Sequence, residues 1–121
     1  MDIRYTADHE WVAIEGRQAT IGITEHAQSA LGDLVFVQLP TVGSVLARGA
    51  PAAVVESVKA ASDILAPLSG SIVEVNAAAV AEPTLLNSDP MGAGWLFKID
   101  FSVPEELGHL LAADAYRRIQ S

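Results

Sequence analysis

Short runs of alternating apolar residues, each cut off by a turn former, constrain what this chain can fold into more than any other feature. Trp11-Val12-Ala13-Ile14 reads as a strand that turns at Glu15-Gly16, and residues 17–23 return as the second arm of a hairpin. A period of two sends alternate side chains to opposite faces of a sheet, whereas a helix of 3.6 residues per turn would scatter them. Because such runs and turns recur at short intervals, the chain reads as a mainly β body with short helices added. Its 121 residues, half of them hydrophobic, suffice for one core, so a single domain over 1–121 is expected.

Local signals place the other elements. Thr24 is suited to cap a short helix over 25–31 and Gly32 to stop it; residues 34–39 form a strand broken by Pro40, which has no N–H for a ladder. Gly43-Ser44-Val45-Leu46 and Gly70-Ser71-Ile72-Val73, 27 residues apart on either side of Lys59, suggest two matched β layers joined by a hairpin with Lys59 at its tip. They are equally compatible with two unrelated turns. Residues 82–86 fit one helical turn with Pro83 near its start, and 87–94 fit a loop. Residues 95–99 alternate as a strand with Trp95, Phe97 and Ile99 facing a core. Ser102-Val103-Pro104-Glu105 has the spacing of a capping box, opening a short helix to about Gly108, with a second over 114–119.

Charge narrows the partners. Fifteen acidic residues against seven basic ones give a formal charge of -8, which repels phosphate backbones and anionic lipid. Nucleic acid and membranes are therefore disfavoured, and an acidic face suits steering toward basic patches on other proteins. With no cysteine there is no disulfide, thiol nucleophile or thiolate metal site, so redox chemistry must come from an added group. The start, Met1-Asp2-Ile3-Arg4-Tyr5, lacks the basic and apolar regions of a secretory signal, and no apolar run reaches the roughly 18 residues of a membrane span. A cytoplasmic bacterial protein is expected; a mature mitochondrial-matrix protein would look the same. His9, His26 and His109 lie far apart without metal-ligand spacing, so packing or surface roles are expected, with His9 a candidate to orient Trp11. Met91-Gly92-Ala93-Gly94 precedes a strand and not a helix, which argues against a phosphate loop.

Of the two lysines, Lys98 sits among bulky residues of a strand, on what reads as its solvated face. Lys59 follows the β-rich run Ala53-Val54-Val55-Glu56-Ser57-Val58 and precedes the small residues Ala60-Ala61-Ser62. A catalytic amine needs desolvation or a cationic neighbour, and here the neighbours are small or acidic. The placement suits an amine presented for modification, with little beside it to hinder a long acyl arm. From the residues alone a plain surface lysine fits as well.

Glu56-Ser57-Val58-Lys59-Ala60-Ala61-Ser62-Asp63 resembles the lipoylation signature of glycine cleavage H proteins. Further landmarks resemble that family in order: His9-Glu10-Trp11-Val12, Gly22-Ile23-Thr24 with Ala27-Gln28, Leu31-Gly32-Asp33, Leu39-Pro40 with Gly43, Pro67 with Ser69-Gly70, Val75-Asn76, Asn87 with Asp89-Pro90, and Gly94-Trp95. The resemblance covers nearly the whole chain. Leu65 and Met91 depart from it, standing where an aromatic residue is common.

The resemblance implies a lipoyl/biotinyl-type barrel-sandwich hybrid of two antiparallel sheets, with the core hairpin over about 41–76 and both termini packed on it. It implies a non-enzymatic carrier with lipoate amide-linked to Lys59, within the attachment context Glu56, Ser57, Val58, Ala60 and Asp63. The arm would take an aminomethyl group from the pyridoxal-phosphate glycine decarboxylase (P protein), pass the methylene to tetrahydrofolate at the aminomethyltransferase (T protein), and be reoxidised by the dihydrolipoyl dehydrogenase (L protein). A lipoate ligase or octanoyltransferase would install it. Glu10 and Asp63 match positions where the family parks the loaded arm, and a shuttle that must expose its docking face is expected to be monomeric. Three other readings stay open: an H-like donor or relay of lipoyl groups to other enzymes, an unmodified interaction module, and a small enzyme with Glu10 or Asp63 as general base. Biotin attachment fits poorly, because Val58-Lys59-Ala60 lacks the methionines that flank biotinylated lysines.

Overall fold

The structure, a computed structural model, describes residues 2–120. Strands β1 (Asp2–Tyr5), β2 (Glu10–Glu15) and β3 (Gln18–Ile23) open the chain as a meander, and helix α1 (Glu25–Leu31) follows. Strands β4 (Leu34–Gln38), β5 (Val45–Leu46), β6 (Pro51–Ser57), β7 (Ala61–Leu65) and β8 (Gly70–Val75) occupy the middle. Helices α2 (Ala77–Ala81) and α3 (Leu85–Ser88) lead to β9 (Phe97–Phe101); a 3-10 turn (Pro104–His109) then leads to α4 (Ala113–Gln120). Two antiparallel sheets result, one ordered β1-β2-β3-β9-β8-β5 and the other β4-β6-β7. Neither closes into a barrel. Among the described residues no helix is long and apolar enough to cross a membrane.

The core lies between the sheets and follows from the alternation. Val12, Ile21 and Ile23 from β2 and β3, with Ile72, Phe97 and Ile99 from β8 and β9, meet Val37, Val55 and Ile64 of the smaller sheet in one buried cluster. Each such side chain contributes about 1.5–3 kcal/mol by leaving water. The β2–β3 hairpin turns where expected, with Glu15 facing Gln18 across Gly16 (φ 64) and Arg17. Thr24 caps α1 by accepting from the Ala27 amide at 3.2 Å, and Gly32 (φ 84) ends it.

Several expectations are corrected. The two Gly-Ser openings are neighbours in one sheet, not separate layers: Gly43 N–H donates to the Ile72 carbonyl and Ile72 N–H to the Ser44 carbonyl. Helix α2 carried no recognised signal, and α3 begins at Leu85, after Pro83, and takes in Asn87 and Ser88 from the expected loop. No capping box forms. Ser102 Oγ donates to the Ser69 carbonyl at 3.4 Å, and Glu106, not Glu105, is the anchoring carboxylate, accepting from Ser69 N–H and Oγ at 2.7 and 2.8 Å. β9 starts at Phe97, so Trp95 precedes the strand; its ring is half-exposed beneath Lys98 Nζ at 5.2 Å, while Leu96 is buried in its place.

Trp11 lies on the opposite face of β2 from Val12 and is nonetheless 4% exposed. Its indole covers Gly22, its cross-strand partner, where an added Cβ would come within 2.6 Å of the ring. Indole Nε1 donates to the Pro90 carbonyl at 2.9 Å, so the ring cannot swing aside without leaving a buried donor unpaired. Gly22→Ala is expected to cost about 1–3 kcal/mol by overpacking, to be read by urea unfolding followed through tryptophan fluorescence; an unchanged midpoint would mean that the ring is free to move.

Candidate functional site

Lys59 stands at the tip of the β6–β7 hairpin. Glu56 pairs with Ala61, Val55 with Ser62 and Val54 with Asp63, so the chain reverses over Val58-Lys59-Ala60. Ser57, 8% exposed, organises this turn. Its amide donates to the Ala60 carbonyl at 2.7 Å; its Oγ accepts from the Lys59 and Ala60 amides at 3.3 and 3.1 Å and donates to the Ala60 carbonyl at 3.2 Å. The Val58 amide donates to the Asp33 carbonyl at 3.1 Å. All three tip amides are thereby satisfied, which fixes the backbone while Val58, Lys59 and Ala60 remain exposed. Among the described residues no ion pair reaches Lys59, although Glu56 and Asp63 are exposed nearby.

The tip rests on the α1–β4 connection, and Asn87 of α3 holds that connection in place. Its Oδ1 accepts from the Leu34 amide at 2.9 Å; its Nδ2 donates to the Gly32 carbonyl at 2.9 Å and to Gln28 Oε1 at 3.0 Å. The Lys59 stem passes over Gly32, with Cε 3.7 Å from where a Cβ would stand. Asn87 was a landmark in sequence but not a recognisable support, because asparagine in a turn-rich stretch is usually satisfied locally.

At the other end of β7 lies Glu10, the first residue of β2. It shares a strand face with Val12 and points into the mouth of the space between the sheets, 3% exposed. Thr6 Oγ1 donates to Glu10 Oε1 at 3.1 Å. Burial pushes the carboxyl up to about 7 from its ordinary value of 4.5; the Thr6 hydroxyl opposes the shift, Asp8 adds to it, and the Leu65 backbone opposes it. Glu10 opens on a pocket of about 310 Å³ whose walls include Thr6, Asp8, Arg48, Leu65, Pro67 and His109. From Ala61 to Leu65 the strand advances four residues, about 13 Å at about 3.3 Å each. Asp63 lies midway, on the strand face of Ala61 and Leu65, exposed and outside the pocket lining. Lys59, Asp63 and the Glu10 pocket are thus strung along one strand, without contact between the two carboxylates.

The histidines depart from expectation. His9 and His26, far apart in sequence, stack with ring centroids 4.2 Å apart. His9 Nδ1 lies 2.8 Å from Tyr116 Oη, and Trp11 is oriented by Pro90 instead.

A protein-family model for the glycine cleavage H-protein matches residues 3–121. The chain belongs to the glycine cleavage H-protein family. It is 56% identical over 113 residues to the glycine cleavage system H protein of Bradyrhizobium diazoefficiens, covering 93% of each chain. To the protein of that name from Methylocella silvestris it is 56% identical over 115 residues, covering 95% of this chain and 92% of that one. The crystal structure of a glycine cleavage system H protein from Mycobacterium marinum superposes with a TM-score of 0.88 at 48% identity, over 97% of this chain and 94% of that one. As an H protein the chain is the lipoyl carrier of the glycine cleavage system and not itself a catalyst. Of the two departures from the H-protein pattern, Leu65 lines the Glu10 pocket, and Met91, 40% exposed, lies beside Trp11 and Trp95.

Proposed function

We propose that Lys59 Nζ carries lipoate in amide linkage and that the Glu10 pocket receives the loaded end of the arm. One observation carries the reading: a fixed tip presents an exposed, unpaired lysine at the head of β7, the strand whose far end closes over a buried carboxyl. The residues present fit the group. Ala60 and Ala61 are small, the amine is free for acylation, and the span along β7 is comparable to a lysine side chain extended by a medium-length acyl chain. When bound, lipoate supplies the disulfide sulfur that takes up and releases the one-carbon cargo.

The chain's own residues bind and position. Ser57 holds the tip, Glu56 and Val58 flank the lysine, and Asp63 offers a carboxylate midway. Glu10 awaits a protonated amine, from which its carboxylate accepts a charge-assisted hydrogen bond stronger than a neutral one. An arriving ammonium favours the ionised carboxyl and so offsets the cost of burying it. Tethering replaces repeated bimolecular encounters by local search at high effective concentration. In this reading the glycine decarboxylase loads the arm, the aminomethyltransferase unloads it and the dihydrolipoyl dehydrogenase reoxidises it, after a lipoate ligase or octanoyltransferase has installed it.

The test has two arms. Incubation with a lipoate ligase, lipoate and ATP is expected to raise the intact mass by one lipoyl group; no gain would overturn the attachment. Formaldehyde release from the loaded protein is expected to accelerate in Glu10→Ala and, less, in Asp63→Ala. Wild-type rates in both variants would remove the parking role while leaving the attachment intact.

A further inference from the structure

His9 is the only non-glycine residue with positive φ, 67°, among those described. It ends the turn between β1 and β2: His9 N–H donates to the Thr6 carbonyl at 3.1 Å and Thr6 N–H to the Glu10 carbonyl at 2.9 Å. A tight turn followed by a left-handed residue is the bulged hairpin in which glycine is favoured, because a Cβ is strained there. This chain carries an imidazole instead, directly before the carboxyl of the pocket.

The imidazole is held on two sides. Its ring stacks on His26 of α1, and its Nδ1 meets Tyr116 Oη, which also lies 2.7 Å from Oγ1 of Thr24, the α1 cap. Tyr116, buried in α4, stacks on Tyr5 of β1 with ring centroids 4.5 Å apart and planes 5° apart. Burial first, and the His26 ring second, hold His9 below its ordinary value, with Asp8 opposing. With His9 neutral, one arrangement gives every hydroxyl proton an acceptor: Tyr116 O–H donates to His9 Nδ1, Thr24 O–H donates to Tyr116 Oη, and Thr24 Oγ1 accepts from Ala27 N–H.

We propose that His9 and Tyr116 are positioning residues for Glu10: the C-terminal helix, through one hydroxyl, clamps His9 in the left-handed conformation and so fixes the turn that seats the carboxyl in its pocket. The coupling is short. Thr6 Oγ1 accepts from the Glu10 amide at 3.2 Å and donates to its carboxylate at 3.1 Å, and the His9 carbonyl accepts from Thr24 N–H at 3.0 Å. A turn that relaxes therefore moves Glu10 at both ends and lets water reach it. The functional meaning of the clamp rests on the reading of Glu10 as the cargo acceptor.

The test is a carboxyl titration of Glu10 followed by carbon-13 NMR in wild type, Tyr116→Phe and His9→Ala. Tyr116→Phe keeps the ring on Tyr5 and loses only the hydroxyl; His9→Ala removes the clamp but keeps the Cβ that is strained at positive φ, so the turn is driven out of the left-handed region. The other titratable groups facing this region, Asp8, Arg48, His109 and His26, are the same in all three proteins. The Glu10 midpoint is expected to fall toward its ordinary value by half a unit or more in Tyr116→Phe and further in His9→Ala, with formaldehyde release from the loaded protein rising several-fold in both. An unchanged midpoint in both variants, even with lowered thermal stability, would overturn the proposal, since the contacts would then hold α4 and nothing more. A shifted midpoint with wild-type release in Glu10→Ala as well would leave the clamp standing and remove the parking role.

Discussion

Lys59→Arg is expected to abolish lipoylation outright, from one lipoyl group per chain to none by intact mass under conditions that fully modify the wild type. Arginine retains the positive charge and most of the stem that passes over Gly32, and none of the tip hydrogen bonds uses the lysine side chain, so the hairpin should be undisturbed. The guanidinium stays protonated at any working pH and is a poor acyl acceptor. The other lysine offers no substitute. Lys98 sits within β9, paired with Glu74 Oε1 at 3.4 Å and lying over the Trp95 ring, where no projecting turn presents it to a modifying enzyme. A mass gain retained in Lys59→Arg would locate the attachment elsewhere and empty the hairpin tip of its proposed purpose.

Glu10→Gln is expected to stabilise the protein above neutral pH and to flatten its stability across the mildly acidic range. The carboxyl titrates near 4.5 when unfolded and at about 7 when folded. Between those values the folded state binds the extra proton, so wild-type stability is greatest below the unfolded value and falls as pH rises through the folded one. At about 1.4 kcal/mol per unit, the ionised carboxyl costs roughly 3 kcal/mol by pH 8. Glutamine preserves the shape and can still accept from Thr6, but it never ionises. Urea unfolding at pH 5 and pH 8 should therefore show wild type losing stability between the two and the variant holding it. Parallel pH profiles would mean that Glu10 stays hydrated. The same carboxyl should protect an amine cargo better at pH 8 than at pH 6, since only its ionised form accepts the charge-assisted bond from the ammonium.

Features encoded over a few neighbouring residues were legible in the sequence. The β2–β3 turn, the Thr24 cap and the reversal around Lys59 each depend on local chemistry, and each is where that chemistry placed it. Contacts made across the fold were not. Glu10 stood out only through the family resemblance, and nothing nearby in sequence announces that β7 and the Thr6 loop will enclose it. His9 and His26 give no sign of stacking, since that needs α1 to fold back against the first turn. The Ser102–Glu105 spacing was genuine but yields no box, because Ser102 Oγ and the neighbouring Glu106 are both engaged by Ser69 of another segment. Trp95 misled through register: β9 begins two residues later, so the alternation was right and its start was wrong.

The hairpin that presents Lys59 also has an open side. In the order β4-β6-β7, strand β7 is outermost, and the outer backbone groups of an edge strand are a template on which another chain can add itself. Its sequence, Ala61-Ser62-Asp63-Ile64-Leu65, carries a single charge, at the centre. A second copy laid antiparallel about that centre would set two Asp63 carboxylates directly opposite one another, a like-charge pairing that disfavours the join. Whatever Asp63 does for the arm, its charge would weigh against two carriers joining edge to edge along β7.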